Sequence, residues 1–209
     1  GAELAEMQKK VCRALGKDNI MWNAFAPIYA GRTHFEGVVA VGETGQGDPA
    51  GPDRYGYLAG QDENRAADIN TMYADPEVRA ILTLRGGWGC NRLLDLLDYG
   101  LIAKNPKIIM GYSDITSLLL ALNAKTGLVT FHGPVGVSTW NKYTTAYVRS
   151  LLFDAEVFSM ENPSDIGDNL TQTNDRVLTI HGGKARGKLL GGNLSVLAAM
   201  VGSDYLPEF

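Results

Sequence analysis

The sequence predicts an α/β fold: an open, mostly parallel sheet with helices on both faces, followed by a linker and the start of a second α/β domain. Three features of residues 78–134 carry that prediction. Short apolar runs recur at Arg79–Leu84 (RAILTL), Lys107–Met110 (KIIM) and Leu128–Phe131 (LVTF). The segments between them carry apolar residues at helical spacing. The connections are short and glycine-containing, as alternating strands and helices of a parallel sheet require. Ligands of such sheets bind beyond the carboxyl ends of the strands. Both glycine-flanked turns, Arg85–Gly89 and Gly111–Ser113, fall at such ends.

Taken in order, Ala2–Leu15 places Leu4, Met7, Val11 and Leu15 on one face of a possible helix, and Phe35–Val41 reads as a strand. Glu43–Pro52 is a Gly/Pro-rich loop. It lacks both the P-loop Lys-Ser/Thr pair and the G-x-G-x-x-G order of dinucleotide sites. Asp62 is the expected N-cap of a helix with Ala66, Ile69, Met72 and Tyr73 inward, and Asp75-Pro76 ends it. On this helix Arg65 and Asp68 are expected to be solvated. Leu93, Leu94, Leu96 and Leu97 predict the next helix. Pro106 sets off the KIIM strand, and Ile115, Leu118, Leu119 and Leu122 stripe a helix that Gly127 closes.

Past Pro134 the pattern loosens. Tyr143–Phe153 reads as a helix with Tyr147, Leu151 and Leu152 inward. Residues 154–184 read as a linker or peripheral hairpin, with short strand candidates at Val157–Met160 and Arg176–Ile180. Lys188–Leu190 reads as a strand, Gly191-Gly192 as a turn, and Asn193 as the N-cap of a helix through Met200. The expected organisation is therefore an N-terminal α/β domain over 1–153, a linker over 154–184, and the beginning of a truncated C-terminal domain over 185–209.

Composition narrows the function. Hydrophobic residues make up 45% and charged residues 20%, enough for a real core. A net charge of -4 without Lys/Arg runs predicts no nucleic-acid partner. No stretch approaches the ~20 apolar residues of a membrane span. Cys12 and Cys90, with His34, His132 and His181, are too scattered for a metal site.

Ser113, between a buried-type strand and a helix, has two readings from spacing alone. It could be a nucleophile at a helix N-terminus, with the Asp114 amide placed to hold an oxyanion. It could equally be a capping serine, since Ser113-x-x-Thr116 fits a cap. The consensus G-x-S-x-G fails, because Ile115 stands where the second glycine belongs. Gly86-Gly87 could bring a further amide close to a ligand or simply make a tight turn. Trp88 could wall a pocket or join the core. His132 has the chemistry of a general base, but at a strand end it fits a structural hydrogen bond better; His181 lies in the loose segment.

The motifs RYGYLAG, RGGWG with RLLDLLDY, NPKIIMGYSDIT, KTGLVTFHGP and GKLLGGNLSVLAAMVGSDYLP together resemble the LD-carboxypeptidases. These serine peptidases remove the terminal D-alanine of the murein (peptidoglycan) tetrapeptide, and the microcin C self-immunity peptidases belong with them. The resemblance covers residues 53–209; residues 1–52 match poorly, and the family's opening strand is not assigned there. It implies that Ser113 is the nucleophile and that the backbone amides of Gly87 and Asp114 form the oxyanion hole. Gly86, Trp88 and Tyr112 would line the substrate pocket. The family's Glu and His are expected beyond Phe209, leaving no general base on this chain. The implied reaction is acyl transfer at an L-centre (meso-diaminopimelate or L-lysine), without metal or organic cofactor. The implied setting is the cytoplasm, with an exported form left open. Murein peptide is the expected substrate, and a homodimer or a complementing C-terminal chain the expected partner. The fragment alone is expected to associate through uncovered apolar surface. Two alternatives stand beside this: a microcin C-type immunity peptidase, and a non-catalytic binding module.

Overall fold

The computed structural model describes residues 38–41, 58, 60–76, 78–83, 85–136, 138–157, 159–162 and 179–208. The helix expected at Ala2–Leu15 and the loop at Glu43–Pro52 lie outside them. The chain divides into two units, Gly1–Trp140 with Gly191–Phe209, and Asn141–Leu190.

In the first unit, four strands pair in parallel and in sequence order: β1 (Val38–Val41), β2 (Ala80–Thr83), β3 (Ile108–Gly111) and β4 (Phe131–His132). β1 lies within the strand expected at Phe35–Val41. β4 is shorter than the LVTF run suggested, because only Phe131 of that run pairs, opposite Met110. The register sets Ile81 beside Ile109, so their side chains share a face. Helices follow the strands in turn, and Ile81 and Ile109 pack with buried residues of α1 (Asp62–Ala74), α2 (Tyr99–Lys104) and α3 (Thr116–Thr126).

The leucines after the glycine bend form a 3₁₀ helix, Cys90–Leu96, where the sequence suggested an α-helix. Residues three apart eclipse in such a helix. Burial nevertheless keeps the i, i+3, i+4, i+7 spacing read from the sequence: Cys90, Leu93, Leu94 and Leu97 are buried, while Leu96, three residues past Leu93, is exposed. Asn70 of α1 ties the junction to α2, donating to the Leu96 carbonyl at 3.2 Å and accepting from the Asp98 amide at 2.9 Å. α1 begins one residue earlier than expected. Gln61 occupies the N-cap without a side-chain bond, and Asp62 is the first helical residue.

α3 is buried on every side from Thr116 to Leu122. Leu118, Leu119 and Leu122 face the sheet core, while Leu120 and Ala121 pack with Val196 and Met200 of α5 (Leu194–Met200). A helix apolar all round belongs inside. Gly127 closes α3 in the left-handed conformation, φ 72°. The carboxyl-side segment is latched at both ends. The Asn193 amide donates to Thr116 Oγ1 at 3.0 Å while its side chain caps α5, and the Tyr205 hydroxyl donates to Asp95.

The second unit holds α4 (Lys142–Leu152), capped by the Asn141 side chain. Val148 is its buried residue, whereas Leu151, expected inward, is exposed. The Tyr143 and Tyr147 rings meet edge-on at 4.7 Å, and both hydroxyls bond the Glu161 backbone. The strands expected at Val157–Met160 and Lys188–Leu190 do not form among the described residues; Val157 and Leu189 stand fully exposed. Most of the Arg176–Ile180 candidate lies outside the described residues.

Gly111 lets β2 and β3 approach closely. A β-carbon there would lie 2.2 Å from Thr83 Oγ1 and 2.8 Å from Ile115 Cγ2. Thr83 cannot yield, because it is fully buried and its hydroxyl donates to the Met110 carbonyl at 3.0 Å. Gly111→Ala should therefore lower stability by about 1–3 kcal/mol. The measurement is urea unfolding, with a lower midpoint and an unchanged slope expected.

Candidate functional site

Two turns meet beyond the carboxyl ends of adjacent strands: Arg85–Gly89 after β2 and Tyr112–Ile115 after β3. Their closeness starts in the backbone of Ser113, whose φ is 63°. A non-glycine residue in the left-handed region carries strain of order 1–3 kcal/mol and persists only where its surroundings hold it. The strand thus breaks sharply at Tyr112, and the chain passes through a 3₁₀ turn (Ser113–Ile115) straight into α3. The capping reading of Ser113 does not fit this geometry. Neither the 3₁₀ turn nor α3 has a side-chain cap, and the serine bonding near this terminus is Ser117, to the Asp114 carbonyl at 3.0 Å.

Gly86 approaches Ser113 from the other turn. A β-carbon on Gly86 would lie 2.8 Å from Ser113 Cβ and 3.1 Å from its Oγ. Glycine is required here for lack of room. Gly87 and Gly89, with φ of 153° and 144°, need glycine for their conformation instead. Neither the Gly87 nor the Asp114 amide has an acceptor among the described residues. Ser113 is half-buried, whereas Trp88 (52%) and Tyr112 (43%) are exposed beside it. Trp88 is thus no core residue.

The two turns are also tied by hydrogen bonds. Asp114 is buried, and its Oδ2 accepts from the Cys90 amide at 2.9 Å. Arg65, expected in solvent, is 4% exposed: its Nη1 pairs with Asp62 at 2.9 Å and its Nη2 donates to the Gly89 carbonyl at 3.4 Å. Asp62 also holds Arg92 at 2.6 Å. A charged residue on a helix is predicted solvated unless its partner is known. This partner is a carbonyl 24 positions away, which helical spacing cannot reveal.

His132 sits at the end of β4, in register with Gly111. It makes no side-chain hydrogen bond among the described residues and none to Ser113, contrary to the structural bond expected. Its ring is exposed and meets Tyr112 edge-on at 6.4 Å. Partial desolvation lowers its pKa below the ordinary imidazole value. His181, in the second unit, is exposed. The sequence reading also missed the backbone of Gly192 and Asn193 at this end of α3. The Asn193 amide donates to Thr116 Oγ1 at 3.0 Å, and a β-carbon on Gly192 would lie 2.3 Å from Thr116 Cγ2. A shallow 370 Å³ cavity, lined by Ile102, Pro106, Gly127 and Val129 among others, opens at the opposite end of α3 and holds no titratable side chain.

A half-buried hydroxyl on a strained strand-to-helix turn, with free amides on two facing loops, can attack a carbonyl and hold the resulting oxyanion. Comparison with known proteins points the same way. Residues 30–133 match the LD-carboxypeptidase N-terminal domain (Peptidase_S66), so the likeness reaches further back than the motifs from residue 53 suggested, and takes in β1. The probable murein peptide carboxypeptidase of Bacillus subtilis is 40% identical over 158 residues, 73% of this chain and 46% of that protein. The microcin C7 self-immunity protein MccF of Escherichia coli is 31% identical over 172 residues, 73% of this chain and 50% of that one. A solved MccF-like protein from Bacillus anthracis superposes with a TM-score of 0.63 at 33% identity, over 81% of this chain and 54% of its own. The chain spans about half the length of the curated relatives it matches. Sequence and fold agree over most of the chain, which belongs to the LD-carboxypeptidase family.

Proposed function

We propose that the full-length protein is a serine LD-carboxypeptidase that releases the terminal D-alanine of murein tetrapeptide. The observation that carries this reading is the left-handed Ser113 at the end of β3, closed over by Gly86. Ser113 Oγ attacks the amide carbonyl on the L-centre. The Gly87 and Asp114 amides stabilise the tetrahedral oxyanion, D-alanine leaves as the amine, and water releases the shortened peptide. Trp88 and Tyr112 flank the substrate beside Gly86. The name of the Bacillus subtilis relative supports the murein substrate class.

The general base and its orienting acid lie outside residues 1–209, on the rest of a longer polypeptide or on a partner, a second copy or a complementing chain. His132 is not assigned the role, since it bonds neither Ser113 nor an orienting carboxylate among the described residues. Among those residues no helix is long and apolar enough to cross a membrane; the setting proposed is the cytoplasm.

The second reading, an immunity peptidase cleaving an amide next to a nucleotide-like group, is supported by the likeness to MccF. Assaying murein tetrapeptide against an aminoacyl-adenylate analogue separates the two, and whichever gives the higher kcat/KM names the substrate class.

Ser113→Ala in the full-length protein should lower turnover by at least about 10⁴-fold, as loss of a nucleophile does; retained hydrolysis would remove Ser113 from the mechanism. His132 gives a second expectation. Its folded-state pKa lies below the unfolded 6.5, so the unfolded chain binds the proton first. Its contribution to stability is complete above pH 6.5, declines as the pH falls below it, and levels off below the folded pKa. His132→Gln should remove that part of the acid slope in a pH series of urea unfolding while leaving kcat/KM within about threefold.

A further inference from the structure

The Asp114 side chain serves a purpose separate from its backbone. Its amide and that of Gly87 are the two oxyanion donors of the proposed reaction, and they belong to different loops. The loop carrying Gly87 is held at three neighbouring points. Gly86 packs against Ser113 with no room for a β-carbon. The Gly89 carbonyl accepts from Arg65 Nη2 at 3.4 Å. The Cys90 amide donates to Asp114 Oδ2 at 2.9 Å.

We infer that the Asp114 carboxylate, backed by the Arg65–Asp62 pair, is a positioning group that sets the separation of the two oxyanion donors. One end of Asp114 supplies a donor directly, and the other grips the loop that supplies the second. The chemistry suits the task. A buried carboxylate accepting from a backbone N–H makes a shorter and stronger bond than a neutral acceptor. Asp114 and Cys90 are both fully shielded from water, so the tie is not exchanged for solvent. Arg65 holds the preceding carbonyl from the opposite side and is itself fixed by Asp62 at 2.9 Å. The loop between Thr83 and Cys90 is otherwise glycine-rich, and glycine alone does not fix a conformation. A donor misplaced by a fraction of an ångström stabilises the transition state far less than the ground state suggests. This inference rests on the serine-peptidase reading of Ser113 and deepens it.

The test compares Asp114→Ala, Asp114→Asn and Arg65→Met with wild type and Ser113→Ala in the full-length protein, on murein tetrapeptide and on the aminoacyl-adenylate analogue. Asp114→Ala retains the backbone donor but releases the loop, so kcat should fall about 10²-fold while KM stays within about threefold. Asp114→Asn, which keeps an acceptor of the same size, should recover part of that loss. The double variant Asp114→Ala/Arg65→Met should cost little more than Asp114→Ala alone, because both act on one loop. Amide hydrogen exchange of the peptide covering residues 85–92 should accelerate in Asp114→Ala and less in Asp114→Asn. Unchanged exchange, or a KM rise that accounts for the loss, overturns the inference whatever the substrate. If Ser113→Ala abolishes turnover and Asp114→Ala does not reduce it, positioning fails while the serine reading stands. If Ser113→Ala turns over normally, the serine reading fails and the positioning role fails with it.

Discussion

The structure depends on one close approach: the glycine bend after β2 lies against a serine held in the left-handed region after β3. That conformation is unfavourable for serine by itself and needs continuous support. The support comes from both flanks. Beneath it, Gly111 admits Thr83 and Ile115 into the space a side chain would fill. Behind it, α3 is buried over its first two turns and cannot shift to relieve the strain. The strain is thus held by the same packing that builds the core.

This arrangement explains why four buried polar groups gather at the carboxyl end of the sheet. Thr83, Asp114, Thr116 and Ser117 are all inaccessible, and each reaches a backbone partner: the Met110 carbonyl, the Cys90 amide, the Asn193 amide and the Asp114 carbonyl. Buried polar groups left unpaired would destabilise the fold. Satisfied as they are here, they join four chain segments around Ser113 and stiffen it. At the opposite end of α3 the side-chain bonds of Asn123, Thr126 and Thr130 to nearby carbonyls are only partly buried, and the cavity there is lined by apolar and small residues.

Much of this was legible in the sequence, because it rests on local chemistry. RAILTL and KIIM predict β2 and β3, Gly127 predicts the end of α3, and Asn193 predicts the start of α5; each signal lies within a few residues of what it specifies. The serine turn was legible as a position, but its two readings could be separated only by a backbone angle. The remainder depends on partners far away in sequence. Arg65 is buried because the Gly89 carbonyl and Asp62 receive it. Asp114 is buried because the Cys90 amide does. The residues after Cys90 are buried at α-helical spacing (Cys90, Leu93, Leu94, Leu97) although the backbone winds as a 3₁₀ helix, and over so short a segment the apolar pattern does not distinguish the two. At Lys188–Leu190 the apolar pattern was present, but no neighbouring strand pairs with it among the described residues.

The return of the chain at Gly191 has a consequence for how the protein is made. The first unit comprises residues up to Trp140 and then resumes at Gly191. Its closing contacts span long separations: 77 residues from Thr116 to Asn193, and 110 from Asp95 to Tyr205. Contacts so distant slow folding, because the intervening loop must be ordered first, although the entropy of closure grows only by about 0.6 kcal/mol for each doubling of that loop. On the ribosome, α3 would therefore emerge with its α5-facing side uncovered and wait through the synthesis of the second unit. At ordinary elongation rates of about 5–20 residues per second, that interval lasts seconds. During it, Leu120 and Ala121 are the surface that a holding chaperone would meet.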